Sequence, residues 1–139
     1  MYRELIEALC GKNSQAVIQP PASLAEIKAA EDAVGVPFPS KLRALLSECN
    51  GDRWLIFSTK EIMETTALNR EALSECYEDI ERHIFFAGNG CGDCYCYHID
   101  ASGQVDDKRI FIWLHETNET ELVASSITEL IARYYLDEL

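Results

Sequence analysis

The sequence predicts an α+β fold: one domain with a largely antiparallel β-sheet, N-terminal helices packed on it and a C-terminal closing helix. Three observations carry that expectation. Apolar residues recur at helical spacing through most of the first 80 positions. From Ile84 to His115 the period changes to two, broken by turn residues. Beyond Ser125 a capping signal opens one more amphipathic stretch. The chain has 139 residues, enough for one domain and short of two of ordinary size. Neither a repeat nor a linker divides it, so a single domain over 1–139 is expected.

The elements follow in order. Leu5, Ile6 and Leu9 suggest a short first helix, and residues 11–22, with Gly11, Asn13, Ser14 and Pro20-Pro21, read as a connector. Ser23-Leu-Ala-Glu26 is a capping box, and the helix it opens carries Leu24, Ile27, Ala30, Glu31 and Val34 before Gly35 stops it. Val36-Pro-Phe-Pro39 is non-helical because each proline pushes its predecessor to extended backbone. Ser40 is expected to cap a second helix with a Leu42, Leu45, Leu46, Cys49 stripe, closed by Asn50-Gly51. Trp54 to Phe57 reads as a short strand, and Ser58 to Glu61 as a second capping box opening a helix to about Leu68. A further acidic helix is expected over Glu71 to Arg82.

The remaining elements alternate. Ile84 to Ala87 and Cys94 to Ile99 are strands around a Gly-rich turn, and Arg109 to His115 is a third strand after the Asp100–Gly103 turn. In the second, Cys94, Cys96 and His98 oppose Tyr95, Tyr97 and Ile99; in the third, Phe111 and Trp113 oppose Ile110 and Ile112. Asp106-Asp107 reads as part of a turn, and residues 116–125 as a polar loop. Ser126 to Glu129 caps a last helix with Ile127, Leu130, Ile131 and Tyr134 on its apolar side.

Composition removes several classes. With 47% hydrophobic and 26% charged residues, seven Gly and four Pro, the chain is neither disordered, collagen-like nor a coiled coil. Twelve bases against 24 acids give a net charge of −12, which disfavours nucleic acid and anionic membrane surfaces and suits a basic macromolecular partner. The acids concentrate late: 1–50 holds six acids and five bases, 51–139 eighteen and seven. No apolar run approaches the roughly 20 residues that span a bilayer, and the acidic start is unlike a signal peptide. A cytoplasmic location with reduced thiols is therefore expected.

Candidate chemistry is thin. Cys91-x-x-Cys94-x-Cys96-x-His98 offers four metal-binding side chains in eight residues. Same-face strand residues sit about 6.5–7 Å apart, whereas thiolates sharing a zinc at about 2.3 Å must lie under about 4 Å apart. Only Cys91 and Cys94 could share an ion, so no metal is expected, and the cysteines read as small apolar residues. A redox role is not expected either, since this Cys-x-x-Cys precedes a strand. Gly88-x-Gly90-x-Gly92 runs into a strand rather than a helix, which argues for a tight turn over a phosphate loop. His115-Glu116 reads as a polar cluster at a strand end, because adjacent strand residues face opposite ways. No catalytic residue and no cofactor is expected.

The order of these signals resembles the SUKH superfamily, the Smi/Knr-type domain. The resemblance rests on Ile27…Glu31…Val34-Gly-Val-Pro37…Leu42…Leu45-Leu46…Asn50-Gly51, on Phe86-Ala-Gly88 through Gly92-Asp93-x-Tyr95 with Gly103 and His115-Glu116, and on Ser125-Ser-Ile-Thr-Glu129-Leu130. It spans about 23–136 and departs in crowding Cys91, Cys94 and Cys96 around the Gly-Asp turn. It implies a non-catalytic binding protein. Bacterial members are read as immunity proteins that neutralise cognate polymorphic toxins, many of them nucleases, and fungal relatives as regulatory hubs. In the immunity reading the partner is a basic toxin domain, and the candidate contact residues are the acids Glu75, Glu78, Asp79, Glu81, Glu116, Glu119 and Glu121.

Overall fold

A computed structural model describes residues 1–10, 15–77 and 79–139. Gly11, Asn13 and Ser14 of the expected connector, and Glu78, lie outside the described residues. The elements run α1 (Tyr2–Cys10), α2 (Leu24–Val34), α3 (Ser40–Glu48), α4 (Thr59–Leu73), β1 (His83–Gly88), β2 (Cys94–Ile99), β3 (Val105–Trp113), β4 (Thr120–Ala124) and α5 (Ile127–Tyr135). The four strands form one antiparallel sheet in the order β1-β2-β3-β4. This is the α+β architecture that the change of period predicted. No helix among the described residues is long and apolar enough to cross a membrane.

The capping chemistry sets the helix starts. Ser23–Glu26 and Ser58–Glu61 both close as reciprocal boxes, and Ser126 accepts from the Glu129 N–H. Gly35 ends α2 in the left-handed region at φ 101°. Two details differ from expectation. Ser40 is the first helical residue rather than the cap, since Pro39 occupies that position without a side-chain bond. Leu24 is 85% exposed, so the packed side of α2 is Ile27, Ala30, Glu31 and Val34. Glu31 is buried and fastens the following elbow, accepting from the Phe38 N–H at 2.6 Å and from Arg43 at 2.7 and 2.9 Å.

Four larger corrections concern the middle and end of the chain. Trp54–Phe57 makes only a single bridge, Ile56 to Ala87. Buried Asp52 accepts the N–H groups of Trp54, Leu55 and Ile56 on Oδ1, which curls the segment. Its Oδ2 takes the Tyr135 hydroxyl at 2.5 Å, tying this turn to α5. Gly51 sits at φ 88° beside it, where a Cβ would meet the Ser58 backbone nitrogen at 2.8 Å. The acidic helix over 71–82 does not form: α4 runs on to Leu73, the chain turns, and one 3-10 turn spans Ile80–Arg82. Asp79 stands at φ 60°, a conformation that interrupts any helix. Asp106 and Asp107 belong to β3, which starts at Val105, and the expected polar loop contains β4.

Alternation then sorts side chains to two sides of the sheet. Ile84, Phe86, Tyr95, Tyr97, Ile99 and Ile110 join the main core with residues of all five helices. Phe85, Cys94, Cys96, Phe111 and Trp113 point the other way and form a smaller core with Ile80, against which Leu73 and Tyr77 pack. All five helices contribute to the first side; among the described residues the second is covered by Phe57, by Leu73 at the end of α4, and by Tyr77 and Ile80.

Candidate functional site

The helix-free side of the sheet gathers the chemically distinctive residues. Tyr77 reaches over it, donating its hydroxyl to the His115 carbonyl at 2.8 Å and meeting Trp113 edge-on at 6.4 Å. That contact brings the 74–82 segment beside the β3–β4 turn. Of the acids singled out in the sequence, Glu75, Asp79 and Glu81 are exposed on the first segment, and Glu116 and Glu119 on the second. Two acidic groups far apart in sequence thus border one face. Glu121 is exposed but is not part of this border: it pairs with Ile112, whose side chain packs on the main core, whereas Leu122 pairs with Phe111 on the helix-free side and is 60% exposed. Asp79 lies 3.6 Å from Arg82.

The Gly-rich turn adjoins this face at Asp93. Burial opposes ionisation there, but hydrogen bonds from the His115 ring and backbone and from Asn89 outweigh it and hold Asp93 below the usual carboxylate value. His115 Nδ1 lies 2.6 Å from Asp93 Oδ1, and its N–H donates to the same oxygen at 3.1 Å. Gly92, at φ 98°, lies against the ring, where a Cβ would come within 2.9 Å. Asn89 accepts from the Cys91 N–H, completing a turn whose polar groups serve itself and His115. β3 ends at Trp113, so strand alternation does not govern His115 and Glu116, and the Glu116 carboxylate approaches Nε2 to 4.0 Å. The Gly-Asp and His-Glu motifs, 22 residues apart in sequence, are one latch.

The cysteines separate by environment. Cys91 is exposed in the turn, while Cys94 and Cys96 are buried and free. Burial pushes Cys94 up to about 12 and Cys96 higher still, so both are thiols at neutral pH.

Next to Cys96 lies an arrangement that the sequence did not suggest. His83 faces His98 across β1 and β2, with ring centroids 5.1 Å apart. His98 in turn stacks on Phe111 at 3.8 Å. Burial, with His98 nearby, pushes His83 down to about 4, and burial with Arg109 lowers His98. Both rings border a cavity of about 610 Å³ whose rim carries Asp79, Arg82, Asp106 and Arg109. Arg109 donates to Asp106 at 2.6 Å and lies over the Phe111 ring. No pattern in the sequence pairs position 83 with 98, because only the strand register does.

Five helices on one side of an antiparallel meander, and a second, smaller core on the other with acids at its edge, define an α+β domain. The chain belongs to the SMI1 / KNR4 family (SUKH-1), whose family model matches residues 21–133. No curated protein matches it.

Proposed function

We propose that this chain is a non-catalytic immunity protein that neutralises a cognate toxin domain by stoichiometric binding through the helix-free side of its sheet. The observation that carries the reading is the placement of acids: Glu75, Asp79 and Glu81 on one border and Glu116 and Glu119 on the other flank a shared face in a chain of net charge −12. A toxin acting on nucleic acid needs a cationic surface for phosphate, and an acidic protein fits that surface and excludes the substrate. Leu122, 60% exposed on this side, provides apolar area beside the charged border. Membership of an immunity-type family agrees with this role.

The test is co-expression with the toxin domains encoded beside the gene, scored by growth. Rescue specific to one basic toxin, with a one-to-one complex on purification, is the expected outcome. If no expressed neighbour is neutralised, the immunity role is wrong and a regulatory binding role takes its place.

A further inference from the structure

We propose that His83, Cys96 and His98 bind one zinc-type divalent cation on the helix-free side of the sheet. The site is made by strand pairing. The β1–β2 register sets His83 directly opposite His98, and Cys96 lies two residues before His98 on the same side of β2. One ring nitrogen from each histidine and the Cys96 Sγ all lie within 4.8 Å of one another. His83 is only 7% exposed, and its Nδ1 is buried without a hydrogen-bond partner, as is Nε2 of His98. An unpartnered buried nitrogen on each of two facing rings carries a desolvation cost. A shared cation accepts both lone pairs together.

The donor set selects the class of ion. Two imidazoles and a sulfur suit zinc and its borderline neighbours, whereas calcium and magnesium take oxygen. Tetrahedral ligation with bonds of about 2.0–2.3 Å sets donor atoms about 3.4–3.6 Å apart. The trio therefore closes by roughly 1 Å on binding, and half-buried His98, on the cavity wall, has room to move. The Cys96 S–H bond breaks as the sulfur–metal bond forms, with the proton leaving to solvent. One net positive charge remains on the ion and its ligands, beside a rim where Asp79 pairs with Arg82 and Asp106 with Arg109. The fourth position opens on the cavity and takes water. The site is independent of the toxin reading and stands or falls on metal binding alone.

The experiment uses the full chain, stripped with a chelator and checked for folding by circular dichroism. Zn(II) is titrated against a chromogenic chelator, and Co(II) replaces it for spectroscopy. One zinc per chain, a zinc-dependent rise in Tm and a cobalt–thiolate charge-transfer band are expected. His98→Gln weakens zinc binding by at least about tenfold, Cys96→Ala removes the thiolate band, and Cys91→Ser leaves both unchanged. No zinc uptake with no change in Tm overturns the site. So does binding that survives His98→Gln and disappears with Cys91→Ser. If Cys96→Ala does not fold, His98→Gln decides, since that ring is half-buried and off the main core.

Discussion

The two sides of the sheet are built from the same strands and come out chemically opposite. On the helix-covered side, Ile84, Phe86, Tyr95, Tyr97 and Ile110 meet five helices and are buried. On the other, Phe85, Cys96, Phe111 and Trp113 make a thin core with Ile80 under Phe57, Leu73 and Tyr77, with two histidines and a cavity beside them. The difference teaches that alternate residues of each strand meet different surroundings. A one-residue step along β2, from Tyr97 to His98, crosses from the main core to the wall of the cavity.

The comparison breaks first where the helix-covered side is cut. Asp52 is fully buried and accepts three backbone N–H groups and the Tyr135 hydroxyl. Asp52→Ala strands those donors and is expected to cost at least about 3 kcal/mol, read by denaturant unfolding. Ile84→Ala, which empties a fully buried site beneath the helices, should cost about 2–5 kcal/mol. A loss below about 0.5 kcal/mol for both would deny that this side carries the stability.

Charge reversal at the border should do the converse. Glu75→Lys with Glu116→Lys and Glu119→Lys changes exposed side chains, so unfolding free energy should move by no more than about 0.5 kcal/mol per site. Association with the toxin domain should slow by about tenfold or more, and its salt dependence should flatten. Stopped-flow binding at two ionic strengths reads both.

The smallest effect belongs to the latch. Asp93 is held below its ordinary 3.8, so the folded protein keeps it ionised where the unfolded chain takes up a proton. Its contribution is complete above pH 3.8 and is lost as pH falls through the lowered folded value. Asp93→Asn should cost about 1 kcal/mol at neutral pH and flatten the acid limb of the stability curve. An unaltered limb would show that the His115 contact contributes nothing.

What the sequence made legible follows the range of each signal. Capping boxes, the Gly35 stop and the alternation of β2 act within a few residues, and each stands where the residue types place it. Trp54–Phe57 misled because one carboxylate, Asp52, overrides strand propensity by taking three amides. The 71–82 stretch has a helical pattern of apolar residues, but Tyr77 and Ile80 are spent on the far side of the sheet, and Asp79 turns left-handed between them. β4 hid because an edge strand with Glu121 and Leu122 exposed has little alternation to show. The border acids were identifiable singly, yet that Glu116 and Glu119 stand beside the 74–82 segment depends on the Tyr77–His115 bond across 38 residues. Likewise, that His83 faces His98 depends on the β1–β2 register and leaves no signal along 91–98.

Amide hydrogen exchange of the chain with and without the toxin domain that the proposed function calls for tests the division of the two sides most directly. Slowed exchange around Tyr77 and across Trp113–Leu122, with α2 and α3 unchanged, is the predicted footprint. Protection confined to the α2–α3 elbow, with the helix-free side unaltered, would contradict it.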